Sequence, residues 1–272
     1  METYSKSVCE LKREFVKTYK GNSHTTEILP DISDKSFQIE NQQLLALHKF
    51  LDANPIYSNH ISEKISNINY TIFEGDLNNY WIDSIKHDTS YAPFYPTWML
   101  SAWGLVLNAN ALGFEQIIDI GSGDGRIAYC GKVLGLESVS IEIDENLVNM
   151  QKNLSNKTGV DFNPVCADAT RYDFKEIPSK KSIFFIGGVP EIGEVLAESV
   201  IKNALESSHI SNSSFVLTGS HSHREFSRDR THFGWGTSIK KFELIVESTL
   251  SLPTYWTMDQ DFETPYVFTK KG

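Results

Sequence analysis

Carboxylates and glycines follow the predicted strands of the chain's later part in a regular order. The segment QIIDIGSGDGRIAY, residues 116–129, contains Asp119 and then a glycine at every second position, namely Gly121, Gly123 and Gly125. It predicts a buried strand, a tight glycine turn and a helix, which together form half of a nucleotide-binding α/β unit. In open α/β sheets, ligands bind beyond the carboxyl ends of the strands, where this turn would lie.

The spacing of the glycines separates the possible ligands. A dinucleotide fingerprint, G-x-G-x-x-G, needs its third glycine where this chain has Arg126. A P-loop needs a lysine and a Ser or Thr after its last glycine, and neither follows Gly125. Asp119 and Asp124 add negative charge to the turn. That charge disfavours a pyrophosphate and suits a ligand with a cationic centre.

Two further acids follow the next two predicted strands. Glu142 comes about 20 residues after the first glycine, where a carboxylate meets ribose hydroxyls and can accept two hydrogen bonds from a cis-diol. Asp168 is placed to accept a hydrogen bond from an adenine amino group. A ligand with an adenine, a ribose and a positive, phosphate-free tail fits these positions, and S-adenosylmethionine (SAM) has these parts. The alternative is an α/β domain with a tight turn and no ligand.

On these motifs, the segment from about Trp98 to Gly272 resembles the class I, seven-strand SAM-dependent methyltransferases. The residues that match the family's three cofactor motifs in order are Asp119, Gly121, Gly123, Gly125, Glu142 and Asp168. The resemblance implies a methyltransferase with SAM as cofactor. It also implies a doubly wound, Rossmann-like α/β fold with a seven-strand, mostly parallel sheet and an antiparallel last strand.

A second resemblance concerns the methyl acceptor. The segment SYAPFYPT, residues 90–97, is similar to the Tyr-x-Pro element that precedes the glycine turn in archaeal and mitochondrial non-SET protein-lysine methyltransferases. The matching residues are Tyr91, Pro93, Pro96 and Thr97. The chain departs from that pattern through an extra Phe-Tyr pair and through GGVPE, residues 187–191, after the fourth strand. The resemblance implies a protein-lysine substrate.

The chemistry of a lysine acceptor suggests roles for two residues. Methyl transfer needs an in-line approach at about 3 Å and an uncharged nucleophile, whereas lysine has a reference pKa near 10.4. Tyr91 and Glu191 are therefore candidate catalytic residues that would help to remove the proton. Aromatic faces for a cationic substrate would come from Tyr91, Phe94, Tyr95 and Trp98. Core packing is the alternative for Phe94 and Trp98.

Other acceptors remain open. Enzymes that methylate exocyclic base nitrogens place Asp/Asn-Pro-Pro-aromatic after the fourth strand, where this chain has GGVPE and no cysteine nucleophile. The net charge of −10 also argues against nucleic acid as the main partner. The same chemistry on a small molecule or RNA remains an alternative, as does a non-catalytic SAM-binding scaffold.

Composition limits the class of protein. The chain has 272 residues, of which 40% are hydrophobic, and this suits a globular core. Its three cysteines have no paired spacing, which predicts a reducing, cytoplasmic location. The polar first residues lack a signal-peptide pattern. No run of 18 apolar residues occurs, so no membrane span is expected.

The pattern of apolar residues divides the chain into two parts. Residues 1–88 are expected to form a mainly helical extension, and residues 89–272 the methyltransferase domain. In the extension, helices are predicted at 8–19 and 44–51, continuing at 61–65, with a third helix capped by Asp76. The first would bury Val8, Leu11, Phe15 and Tyr19 and expose Lys12, Arg13 and Lys17. It would either dock on the body or act as a basic arm for a membrane or nucleic acid.

In the second part, seven strands are predicted at 116–120, 138–143, 162–166, 182–186, 214–218, 242–248 and 266–269. A helix is predicted at about 192–207. A loop follows the fifth strand and contains His221 and His223, with His232 further on. No Cys or acidic partner completes a metal-ligand set there. We therefore expect no metal, and the loop is interpreted as a substrate-side segment.

Overall fold

The computed structural model describes residues 1–84, 94–207, 210, 212–220, 231–255 and 260–272. The described chain contains a three-stranded antiparallel sheet with two helices and, after it, a seven-stranded sheet flanked by helices. Apolar side chains from both parts belong to one hydrophobic cluster, so the N-terminal unit is packed against the larger sheet's helices.

The N-terminal unit is a mixed α/β structure. Its elements are α1 (Glu2–Thr18), β1 (Thr25–Pro30), α2 (Asn41–Ala53), β2 (Tyr57–Ile65) and β3 (Ile68–Gly75). Strand β3 lies in the middle and pairs antiparallel with both neighbours.

The prediction of a mainly helical extension is therefore wrong for the described residues 1–84, because three strands join the two helices there. Residues 61–65 form the end of β2, and the two residues Ser66 and Asn67, both with positive φ, turn the chain into β3. The i, i+4 spacing of Ile61 and Ile65 suggested a helix, but this two-residue hairpin turn decides the local structure. Asp76 accepts a hydrogen bond from the Asn78 backbone N–H in a turn and caps no helix.

The second unit alternates strands and helices. Its elements are α3 (Met99–Ala111), β4 (Gln116–Ile120), α4 (Arg126–Leu134), β5 (Glu137–Glu142), α5 (Glu145–Thr158), β6 (Pro164–Cys166), β7 (Ser182–Ile186), α6 (Pro190–Glu206), β8 (Ser214–Thr218), α7 (Gly236–Lys241), β9 (Leu244–Pro253) and β10 (Glu263–Lys271). The strand order is β6-β5-β4-β7-β8-β10-β9, and β10 is antiparallel to both of its neighbours. All seven predicted strands are present, and the predicted fold class is confirmed.

Alternate side chains of each strand are buried on opposite faces of this sheet. Ile117 and Phe185 point to the face that is covered by α3, α4, α5 and the N-terminal unit. Ile118 and Phe184 point to the opposite face, which α6 and α7 cover. Because helices lie on both faces, the strands are apolar throughout, as parallel strands of doubly wound folds are.

Helix α1 docks on the body of the protein. Val8, Leu11 and Phe15 are buried, and the Ser5 hydroxyl donates a hydrogen bond to the Ser251 carbonyl of β9. The docking interpretation is thus confirmed. The expectation that Lys12 is exposed is wrong, because its ammonium lies 4.8 Å from the centre of the Trp98 ring and its side chain is buried.

Candidate functional site

A cavity of about 290 Å³ lies at the carboxyl ends of β4 and β7. The chain leaves β4 towards β5 and β6 on one side and returns to β7 on the other, so the cavity is at the point where the strand order reverses. Ligands of open α/β sheets bind at such a switch point. The cavity walls include Gly121 and Ser122 after β4, Gly187 and Gly188 after β7, and residues 94–97.

The glycine turn after β4 has a shape that other residues would not permit. Gly121, Gly123 and Gly125 have φ angles of 63°, 59° and 78°, in the left-handed region. A Cβ atom at Gly123 would lie 2.1 Å from the Phe94 ring, and one at Gly125 would lie 2.5 Å from the Phe162 ring. The glycines therefore serve both the backbone conformation and close packing.

Asp119 lines the cavity from the end of β4. It is buried, and the backbone N–H of Ala128 donates to its Oδ2 at 3.3 Å. Burial raises the pKa of Asp119 well above its usual value; the Ala128 amide opposes this shift, and the nearby carboxylates of Asp124 and Glu142 add to it. This first acid of the predicted ligand set therefore faces the expected site.

Glu142 is the last residue of β5, and its carboxylate is joined to the glycine turn. The Gly123 backbone N–H donates to its Oε2 at 2.8 Å, and the N–H groups of Ile143 and Asp144 donate to its Oε1. Burial raises the pKa of Glu142, and the three amides oppose the shift. Both oxygens are thus engaged, and a ribose diol would use their remaining lone pairs or replace an amide.

Asp168 follows β6 at the same edge of the sheet. The backbone N–H and the hydroxyl of Thr170 both donate to its Oδ1, at 2.9 and 2.6 Å, and Arg171 lies 3.6 Å from its Oδ2. The Ala167 N–H donates to the Glu142 carbonyl, so the two motifs are neighbours. Neither Glu142 nor Asp168 lines the cavity.

Of the two candidate catalytic residues, Glu191 belongs to the described part of the chain. Glu191 is the second residue of α6, and its Oε1 accepts a hydrogen bond of 2.7 Å from the Ser220 hydroxyl. Ile192 and Gly193, the next two residues, line the cavity. Tyr91 and Pro93 lie outside the described residues.

The predicted aromatic residues divide between the cavity and the core. Phe94 and Tyr95 line the cavity, and Phe94 packs on Gly123. Trp98 is buried beside Phe15, with ring centres 6.1 Å apart, so the core interpretation applies to it. Tyr255 and Tyr266 were not predicted and supply further aromatic walls.

A buried cluster of charges supports the glycine turn and was missed by the sequence analysis. The Arg126 guanidinium bonds to the carboxylates of Glu27 and Asp124, to the Thr97 carbonyl at 2.6 Å and to the Tyr57 hydroxyl at 3.0 Å. Burial raises the pKa of Glu27 to about 7, although Arg126 acts in the opposite direction. Two features of the sequence could have revealed this cluster: an arginine in place of the third glycine, and a lone acid in the apolar segment TTEILP.

The described residues hold neither a metal-ligand group nor a membrane-spanning helix. They contain no group of three or more side chains placed to hold a metal ion; His232 is described, whereas His221 and His223 lie outside the described residues. Among the described helices, none has the length and apolar character needed to cross a bilayer. Cys9, Cys130 and Cys166 form no disulfide bonds.

Comparisons with known proteins find similarity at the level of structure alone. No protein-family model matches the sequence, and no curated protein matches it either. The Pyrococcus abyssi tRNA (uracil-54, C5)-methyltransferase, solved with S-adenosyl-L-homocysteine, is 14% identical with a TM-score of 0.47, over 98% of this chain and 82% of that one. The Synechocystis magnesium protoporphyrin IX methyltransferase, solved with SAM, is 11% identical with a TM-score of 0.44, over 64% and 78% of the two chains. At these values neither similarity assigns an activity.

Proposed function

We propose that this chain is a SAM-dependent methyltransferase of the class I type. The observation that carries the proposal is the contact between the Gly123 amide and the Glu142 carboxylate beside a cavity at the switch point of the sheet. It joins the turn and the acid that the motifs assign to one cofactor, and it does so where α/β sheets bind ligands.

The charges around the cavity favour a cationic ligand over a phosphate. Among the described residues that line the cavity, Arg126 is the only cation, and it is already paired with Glu27 and Asp124. Asp119 adds a further carboxyl group. An anionic pyrophosphate would therefore find no unpaired positive charge among these residues, whereas a sulfonium would meet carboxyl groups and no unpaired cation. When bound, SAM supplies a methyl group on a positively charged sulfur.

For the methyl acceptor we propose a protein lysine. Its support is the aromatic wall formed by Phe94, Tyr95, Tyr255 and Tyr266, together with the acidic net charge of −10, which favours basic proteins. Apolar surroundings lower the pKa of a lysine and so favour the neutral amine. Tyr91 and Glu191 remain the proposed proton acceptors. A cytoplasmic location, which cysteines without disulfide bonds favour, also remains part of the proposal.

Labelling distinguishes the acceptor classes. The protein is incubated with tritiated SAM and cell extract, and the products are treated with protease or with nuclease. The proposal is supported if protease releases the label and acid hydrolysis then recovers it as methyl-lysine. Label lost only on nuclease treatment identifies RNA, and label in the low-mass fraction identifies a small molecule. Tight SAM binding without any transfer favours a non-catalytic scaffold.

A further inference from the structure

Four exposed apolar side chains lie in or beside the segments that line the cavity; we call Tyr95, Ile192, Val195 and Phe233 the rim patch. Ile192 and Val195 are 78% and 77% exposed, and Tyr95 and Phe233 are 44% and 46% exposed. Large exposed aliphatic groups carry a cost in water, and when they gather beside a cavity they mark an interaction site.

The members of the rim patch are tied to one another by geometry. Tyr95 and Ile192 line the same cavity, and Val195 follows Ile192 by three residues on α6, on the same helix face. Ser220 connects Phe233 to this helix, because its N–H donates to the Phe233 carbonyl and its hydroxyl donates to Glu191. The patch is therefore continuous with the proposed methyl-transfer site.

The charge of the surrounding surface selects the kind of partner. The first twelve residues of α6, 190–201, carry Glu191, Glu194 and Glu198 and no lysine or arginine. Glu198 is paired with Lys241 at 2.6 Å. Glu191 accepts a hydrogen bond from Ser220, whereas Glu194 is exposed. Nucleic acids are held through basic side chains that neutralise phosphates, and this part of α6 offers none. An apolar surface with acids beside it instead suits a polypeptide that combines apolar and basic residues.

We propose that the rim patch is the docking surface for a polypeptide substrate in which the target lysine is flanked by apolar side chains. Methylation of the docked lysine rests on the proposed function, whereas the docking itself does not. The flanking apolar groups would bury Ile192 and Val195, and the lysine would enter the aromatic cavity next to them. The exposed Glu194 of α6 would attract its basic charge before it enters.

The test uses two fluorescent peptides of equal length and charge, one with leucines and one with serines beside the lysine. Binding is followed by anisotropy, which does not depend on turnover. The test variant is Ile192→Ser/Val195→Ser. The matched control is Leu45→Ser, because Leu45 is 70% exposed on α2, which belongs to the opposite face of the sheet.

We expect the wild-type chain to bind the leucine peptide at least roughly tenfold more tightly than the serine peptide. The double variant should lose this preference, and Leu45→Ser should keep it. Methyl transfer to n-butylamine should be unchanged in the single variant Val195→Ser, because Val195 does not line the cavity that a small amine would enter.

Three results would overturn the proposal: equal binding of the two peptides, an equal loss in Leu45→Ser, or tighter binding of poly(U) that the double variant abolishes. A dimer of the wild-type chain that disappears in the double variant on sedimentation would assign the patch to self-association instead. Failure of the proposed function is separate: calorimetry would find no SAM binding while the peptide preference persisted.

Discussion

Arg126 and Glu27, which are 99 positions apart, form a buried ion pair that joins the N-terminal sheet to the glycine turn. Glu27 belongs to β1 and also accepts the Met99 backbone N–H at the start of α3, whereas Arg126 is the first residue of α4. The N-terminal unit is therefore part of the support of the site.

Removal of this cation should be strongly destabilising. Arg126→Met leaves the carboxylates of Glu27 and Asp124 buried without their partner, which costs about 3–5 kcal/mol in comparable pairs. Lys132→Met is the control, since its ion pair with Glu137 is solvent-exposed and should contribute about 1 kcal/mol or less. Urea unfolding of both variants measures the difference, and equal losses would contradict the structural role of Arg126.

The same pair predicts how stability depends on pH. Burial raises the pKa of Glu27 to about 7, so between its ordinary value of 4.5 and that value the native state holds a proton that the unfolded chain has released. The stability that this protonation contributes is complete below the ordinary value and is lost as pH rises through about 7. We expect the unfolding free energy of the wild type, relative to Glu27→Gln, to fall from about pH 5 to about pH 8. A relative free energy that rises over this range in urea titrations would refute the assignment.

Glu142→Ala should weaken SAM binding. Loss of charge-assisted hydrogen bonds worth about 1.5–3 kcal/mol corresponds to roughly ten- to a hundredfold in affinity. The alanine also frees the Gly123 amide and loosens the turn. Glu137→Ala, at the opposite end of the same strand, should leave the affinity unchanged. Calorimetry on both variants is the measurement, and an unaltered affinity of Glu142→Ala would exclude Glu142 from the cofactor site.

Tyr91→Phe should lower turnover and spare SAM binding, because a residue that assists proton removal from the acceptor acts on chemistry. Such assistance is worth about a hundredfold or more in kcat. Tyr80→Phe, in the turn after β3, should behave as the wild type. Transfer assays and calorimetry separate the two effects. Weakened SAM binding with normal turnover at saturation would instead place Tyr91 in the cofactor pocket.

Gly125→Ala should destabilise the protein more than Gly135→Ala. Both residues have positive φ, 78° and 94°, so both variants incur backbone strain of about 1–2 kcal/mol. Only at Gly125 does the new methyl group meet other atoms, the Phe162 ring at 2.5 Å, which adds about 1–3 kcal/mol of crowding. Thermal unfolding of the pair isolates this contact. Equal melting temperatures would mean that the turn has room for a side chain.

The sequence by itself determined the seven strands, the doubly wound sheet and the glycine turn after β4. These features are encoded locally: runs of apolar residues specify buried strands, and closely spaced glycines specify a turn that only glycine adopts without strain. Strands Gln116–Ile120, Ser182–Ile186 and Ser214–Thr218 were predicted to the residue for this reason.

Tertiary structure alone decided what depends on long-range contacts. The hairpin at Ser66 and Asn67 overrode a helical spacing, because pairing of β2 with β3 satisfies the backbone of both strands. Burial of Lys12 and the pairing of Arg126 with Glu27 depend on which elements meet in space, and no local pattern encodes that meeting. The gathering of Tyr95, Ile192 and Tyr266 around one cavity arises in the same way, from three segments that are far apart in the chain.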